Sequence, residues 1–496
     1  MRDERVWDEG VPRGRDWPDR QVNEAARASA EAADSGPEFE LELTDLAYGG
    51  DAVGRYEGRA VFVPGALPGE RVRVRLTRER ANYARAELLD VLEASPDRVE
   101  LRYPELSDSG GFQWQHIAYP AQIEWKTRIV RQLLMRIGKF SDPPVQPTIG
   151  MPEDADAWRY RTVAQFAIAP DGAIGFRRAE SHDVLDMPEC PIVHPQLDTL
   201  YQLTRDWIQD RWGARAHEFT ERFTLRVAVG APGEKSSGAL MMAGGHSYRG
   251  SGGALLTIEA RPGAPFDSEG GPDAVASALR MAVPGLAGVV ILGLPVGRGR
   301  VTAGQDFVHD NVLTRIYRIS AGSFFQVNPT QTPVLVQRAI EALRPHPHDV
   351  ALDGYSGVGL FSLFLAKRVD RVIAIESQPS AVADARASAT LNAIENVLAY
   401  EGVLERVIGG MRRQRERVDI ALVDPPRAGC LPRALNELTA MGPRTLVYVS
   451  CDPSTLARDL RLICDSGYRL TNVQPVDMFP YTSHIECIAT CDRVMP

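Results

Sequence analysis

Cys451 closes the apolar run Tyr448-Val-Ser-Cys451-Asp-Pro453. Arg444 to Val449 reads as a buried strand, and the residues from Pro453 read as the first turns of a helix. The thiol is therefore expected at the carboxyl end of a strand, facing a helix N-terminus. An open α/β sheet places its chemistry there, and the positive end of a helix dipole lowers a thiol pKa. A free cysteine is more often a small buried hydrophobe, so the assignment depends on its company. Two carboxylates supply it. Asp424 ends the strand from Val418 to Val423, and Pro425-Pro426 after it hold a rigid extended turn. Glu486 precedes a terminal strand that runs through Ala489, and flanks the same edge.

The elements that position these groups alternate strand and helix from about residue 316, which argues a parallel, doubly wound sheet. Val350-Ala-Leu-Asp353 runs into Gly354-Tyr-Ser-Gly357-Val-Gly359, where glycines let the backbone approach a ligand. The next strand, Arg371-Val-Ile-Ala-Ile-Glu376, ends on a carboxylate placed to accept hydrogen bonds from a ribose diol. A dinucleotide dehydrogenase would show G-x-G-x-x-G, but Phe361 and Ser362 follow Gly359. An acidic residue before the turn, as Asp353 is, suits S-adenosylmethionine (SAM). Gly322-Ser-Phe-Phe-Gln326-Val-Asn328 enters the domain with two aromatics and an amide.

The chain has 496 residues, 44% of them hydrophobic, which gives room for two to four domains. Its formal charge of −9 does not advertise nucleic-acid binding, so any basic surface must be local. Lysine occurs only at Lys126, Lys139, Lys235 and Lys367. Six cysteines form no disulfide framework and suit a reducing cytoplasm. The N-terminus lacks an apolar signal core, and Met281 to Gly297 is too short and interrupted to span a membrane. The expected organisation is a disordered segment (1–37), a small β-barrel (38–94), a central α+β domain (95–315) and a catalytic domain (316–496).

The barrel's signal is a run of short strands separated by glycine turns. In Arg71-Val-Arg-Val-Arg-Leu76, alternation puts Arg71, Arg73 and Arg75 on one face and Val72, Val74 and Leu76 in the core. Arg78, Arg80 and Arg85 follow. The expected role of this face is RNA contact. With Val63-Pro-Gly-Ala-Leu-Pro-Gly-Glu70, the segment resembles the TRAM domain, a β-barrel of RNA-modifying enzymes.

Taken together, Ser323-Phe-Phe-Gln-Val-Asn328, Leu352-Asp-Gly-Tyr-Ser-Gly-Val-Gly359, Glu376, Asp424-Pro-Pro-Arg427, Val449-Ser-Cys-Asp-Pro453 and Asp477-Met-Phe-Pro through His484-x-Glu486 resemble the SAM-dependent RNA uracil-C5 methyltransferases, in that family's order. The resemblance implies a Rossmann-like class I methyltransferase domain. In it Gln326, Tyr355, Glu376 and Asp424 hold SAM, Cys451 is the nucleophile and Glu486 the base. Uracil C5 is a weak carbon nucleophile. Thiolate addition at C6 makes an enolate reactive at C5, and a base must then remove the C5 proton. Phe324 is expected near the face of the uracil, which must leave its stack. The TRAM-like barrel favours 23S ribosomal RNA over tRNA, and the protein is expected to be a monomer.

The chain departs from the family pattern in three respects. Many relatives hold an iron–sulfur cluster through four cysteines, where this chain has Tyr103, Ser109, Phe112 and Cys190. One thiolate cannot hold such a cluster, so no metal is expected. Ser356 stands where relatives often carry cysteine, and Val403 where an aspartate often helps hold adenine. The competing readings are an amino-group methyltransferase, which would need no Cys451, a 5-methylcytosine enzyme, for which Cys430 is poorly placed, and a catalytically silent RNA-binding or ribosome-assembly protein.

Overall fold

A computed structural model of the chain describes residues 36–153, 155, 157–178, 181–229, 240–241, 247–248, 253–294 and 299–494. The expectation of disorder over 1–37 lies outside them but for Gly36 and Pro37. The chain forms two compact units, one of residues up to Pro96 without Tyr48–Gly50, the other of Tyr48–Gly50 and everything from Asp97.

In the first unit β1 (Glu38–Leu46), β2 (Ala52–Tyr56), β3 (Arg59–Val63), β4 (Arg71–Glu79) and β5 (Tyr83–Glu93) close a barrel in the order β1-β2-β3-β5-β4. Closure leaves no open edge to pair with another chain. Val72 and Val74 point into the core beside Leu41 and Leu43. Leu76, expected there too, is only half-buried, at the last of three register shifts in the β4–β5 pairing. The outward arginines are not bare. Antiparallel pairing sets Glu38 opposite Arg75 and Glu40 opposite Arg73. Arg71 pairs with Glu40 (2.8 Å) and Glu93, Arg73 with Asp90, and Arg75 with Glu38 (2.8 Å) and Glu87 (3.6 Å). Arg78 and Arg80 are exposed and form no ion pair among the described residues.

The second unit contains two seven-stranded sheets. The central one comprises β6 (Val163–Ile168), β7 (Ile174–Arg177), β8 (Val184–Asp186), β9 (Thr220–Val227), β12 (Ala254–Ala260), β13 (Leu286–Leu292) and β14 (Arg300–Gly304), ordered β14-β13-β12-β9-β6-β7-β8. Between β9 and β12 lies a short ladder of β10 (Leu240–Met241) with β11 (Ser247–Tyr248). Phe223, Leu225 and Val227 alternate into the core, where the Phe166 ring stacks on Tyr201 at 3.9 Å. The hairpin of β15 (Phe307–Val312) and β16 (Arg315–Ser320) leads on to the helix Thr332–Leu343.

The catalytic sheet follows, with β17 (Val350–Gly354), β18 (Arg371–Glu376), β19 (Val397–Glu401), β20 (Ile420–Val423), β21 (Thr445–Ser450), β22 (Tyr468–Val476) and β23 (Glu486–Arg493), ordered β19-β18-β17-β20-β21-β23-β22. The pairs from β19 to β21 are parallel, and β23 runs antiparallel to both β21 and β22. Strands β17, β20 and β21 are buried along their whole length, as expected of parallel strands covered on both faces. This topology places the site. The carboxyl ends of β17, β18, β20 and β21 share one edge with the amino end of β23, where Ser450 stands opposite Cys487.

Candidate active site

Strand ends bring the sequence-picked groups together. Asp353 lies inside the end of β17, Glu376 closes β18, Asp424 follows β20, Cys451 follows β21, and Glu486 opens β23. Behind the thiol, the helix Pro453–Asp465 is capped by Asp452, whose carboxylate accepts from Ser454 N (2.9 Å) and Thr455 N (3.1 Å). Such a cap contributes about 1 kcal/mol, and here it puts an anion at the helix terminus that the thiol faces.

The expected drop in the thiol pKa is therefore reversed. Burial, then Glu486, Asp424 and Asp452, push Cys451 up to about 12, while Arg427 pulls the other way. Burial is also the main cause for the carboxyls. Glu486, 3% exposed, is held well above the usual carboxylate range, with Asp424 adding to the effect and Arg427 opposing it. Asp424 is pushed up to about 7 by burial and by Asp353. Three acids and a thiol crowd one edge, with Asp353 and Glu486 buried and Asp424 and Cys451 half-buried, so the resting site holds protons.

The cofactor-side residues fit SAM on three observations. A side chain at Gly357 (φ +53°) would enter open space, so the backbone there is open to a ligand. Fully buried Asp353 accepts from Ser362 Oγ (2.5 Å) through one oxygen, and the other has no partner among the described residues. Glu376 braces the glycine loop by accepting from Gly357 N (3.0 Å) and Gln378 N (2.8 Å). Tyr355 lies between these groups at φ +60°, a costly conformation for a residue with a side chain and one that clusters at functional sites. Gln326 is 8% exposed, in a segment whose one prominent side chain is Phe324, 69% exposed. Val403 is exposed.

Several contributors carry no signal in local spacing. Arg427 Nη2 donates to His484 Nδ1 (2.7 Å), and burial together with Arg427 and Lys126 lowers the imidazole to about 4, so it stays a neutral acceptor. Lys126, on the helix Tyr119–Arg136, is fully buried and donates to Asp477 Oδ1 (2.6 Å) and Phe479 O (3.0 Å). Tyr119 Oη donates to the other Asp477 oxygen (2.8 Å). This hub fixes the segment that leads to His484 and Glu486. Farther along it, Tyr481 (φ +61°) stacks on Trp158 at 4.1 Å. Trp158 in turn meets Tyr103 edge-on (5.3 Å) and stacks on Phe112 (6.1 Å). Burial raises the Cys190 thiol to about 12. Two aromatic rings and a thiol held protonated do not fit an iron–sulfur cluster.

Comparison with known proteins identifies the family. The tRNA (uracil-5-)-methyltransferase family matches residues 288–493, and the TRAM domain matches residues 34–89. An uncharacterized RNA methyltransferase of Halalkalibacterium halodurans is 36% identical over 91% of this chain and 96% of its own length. One from Caldanaerobacter subterraneus is 35% identical, over 92% and 99%. Among solved structures, the Pyrococcus abyssi tRNA (uracil-54, C5)-methyltransferase in complex with S-adenosyl-L-homocysteine is similar at a TM-score of 0.65 and 25% identity, covering 91% of this chain and all of its own.

Proposed function

Because the chain belongs to the SAM-dependent RNA (uracil-5-)-methyltransferase family and carries a TRAM barrel, we propose that it methylates C5 of a uridine in RNA through a covalent Cys451–C6 adduct. The observation that carries this reading is the pairing of β21 with β23, which sets a thiol and a buried carboxyl of raised pKa at neighbouring strand ends. The Cys451 sulfur bonds to C6, the C5–C6 π electrons move onto the C4 carbonyl oxygen as an enolate, and the thiol proton passes to solvent. Arg427 offsets the charge on sulfur in its ionised form. When bound, SAM supplies the methyl group, and Gln326, Tyr355, Glu376 and Asp424 are the residues that would hold it. With C5 methylated, Glu486, its resting proton already passed to solvent, takes the C5 proton as a carboxylate, the C5–C6 double bond re-forms, and the sulfur–C6 bond breaks. A carboxyl of raised pKa is a stronger base than an exposed one, which suits this last task. An amino-group methyltransferase would have no use for the pairing.

The barrel supports 23S ribosomal RNA as the substrate. One observation favours tRNA as a second reading. The structure similar over 91% of this chain is a P. abyssi tRNA (uracil-54, C5)-methyltransferase, and the matching family model is likewise described as a tRNA (uracil-5-)-methyltransferase. On the barrel, Arg71, Arg73 and Arg75 would reach phosphates by exchanging carboxylate partners, whereas Arg78 and Arg80 would bind without that exchange. The deciding experiment maps 5-methyluridine in ribosomal and transfer RNA from cells with and without the gene. One site lost from 23S ribosomal RNA and regained with purified protein is the expected result. Loss from tRNA alone selects the second reading, and no loss in either contradicts both.

A further inference from the structure

The segment Ser320–Asn328 is pinned on both sides of one exposed ring. Asp384, fully buried on the helix Pro379–Leu391, accepts from Ser320 N (2.8 Å), Ser320 Oγ (2.7 Å) and Ser323 Oγ (2.6 Å), and pairs with Arg318. Arg226, on β9 of the central sheet, donates to Ser323 O (3.2 Å). Beyond the ring, Phe325 is buried against Tyr317 (5.4 Å). Thr162 donates to Val327 O through both N (2.9 Å) and Oγ1 (3.1 Å). Asn328 donates to Met478 O (3.1 Å), on the segment that leads to Glu486. Between these anchors Phe324 is 69% exposed.

A phenylalanine left in solvent on a turn this heavily anchored has a cost without a return inside the fold. A buried carboxylate serving a turn's donors fixes backbone direction, since charge-assisted hydrogen bonds are short and directional. We propose that Asp384 is a positioning residue which, with Arg226, aims the Phe324 ring at the unstacked uracil, so that RNA affinity depends on a carboxylate that never touches RNA. This inference rests on the reading of Phe324 as base-facing. An aromatic platform under an extruded base contributes enough to be read in KM. Asp384 contributes only through the order it gives that platform.

The test uses the full-length protein and RNA from cells lacking the gene. Phe324→Ala is expected to raise KM for RNA by about 5- to 150-fold. Ser323→Ala removes one arm of the clamp and leaves the Arg318–Asp384 pair; it should raise KM by about 3- to 10-fold with kcat nearly unchanged. Asp384→Asn should do the same or more, with faster amide exchange at Phe324 and Phe325. Should Asp384→Asn fail to fold, Ser323→Ala still decides the matter. The distinguishing readout is the double variant, in which Ser323→Ala should add little once Phe324 is alanine. A wild-type KM in Ser323→Ala, or an undiminished loss in the Phe324→Ala background, overturns the proposal. A wild-type KM in Phe324→Ala removes the base-facing reading on which the proposal rests, and leaves the Cys451 chemistry standing.

Discussion

The outer face of the barrel and the carboxyl edge of the catalytic sheet are both crowded with charged residues, and they handle charge in opposite ways. On the barrel, Arg71, Arg73 and Arg75 meet Glu38, Glu40, Glu87, Asp90 and Glu93 in solvent. At the catalytic edge, Asp353, Asp424 and Glu486 crowd one another out of water, with Arg427 as the opposing cation that bears on Glu486. Water screens the first arrangement and leaves the second unscreened. The carboxyls at the edge are therefore pushed up mainly by burial, whereas on the barrel Glu93 and Glu40 hold the Arg71 guanidinium in its charged form through pairs open to solvent.

The largest expected effect compares a buried pair with an exposed one. Lys126→Met leaves the Asp477 carboxylate buried without its cation, and should lower the unfolding free energy by roughly 3–5 kcal/mol. Arg73→Ala should stay within about 1 kcal/mol. Urea titrations of both variants check this, and equal losses would erase the distinction between the two regions.

The thiol gives the next largest effect. Alkylation of Cys451, followed by peptide mass spectrometry, should be slow at neutral pH and rise as pH climbs towards the thiol's value of about 12. The sign follows from the charges. Glu486→Gln removes a neighbouring anion and should move the profile to lower pH, and Arg427→Gln removes a cation and should move it to higher pH. A wild-type midpoint near the ordinary thiol value would contradict the crowding of carboxyls around the sulfur.

The smallest effect belongs to the barrel. Three phosphate contacts freed of competition would change the slope of log K against log salt by about 2 to 3 units. Because their carboxylates already neutralise them, Arg71, Arg73 and Arg75 changed together to alanine should alter the slope less than the pair Arg78 and Arg80 does. A larger change from the triple variant would show that the exposed ion pairs open readily for phosphate.

What was legible in the sequence follows the same division. The alternation of strand and helix after residue 316, and the placing of Asp353, Glu376, Asp424, Cys451 and Glu486 at strand ends, come from local pattern, and the sheet edge gathers them. The partners of the barrel arginines were not legible, because Glu40 lies 31 residues from Arg71 and only strand register joins them. The direction of the Cys451 shift was hidden for a related reason: a helix N-terminus is local, whereas burial beside Glu486 depends on β23 returning antiparallel to β21. The order of the central sheet was illegible too, since β9 at its middle pairs with β6 and β12, both distant in sequence. Lys126 and Asp477 are separated by 351 residues, and nothing near either one announces the other.

The covalent role of Cys451 and the basic role of Glu486 are tested most directly by one experiment on Glu486→Gln. Incubated with SAM and RNA from cells lacking the gene, this variant should accumulate a protein–RNA adduct that carries the transferred methyl group and survives denaturing electrophoresis, because the C5 proton is never removed. Cys451→Ala, run beside it, should give neither adduct nor methylated RNA. Normal turnover by Cys451→Ala, or wild-type release of methylated RNA by Glu486→Gln with no adduct at any time, would contradict the account.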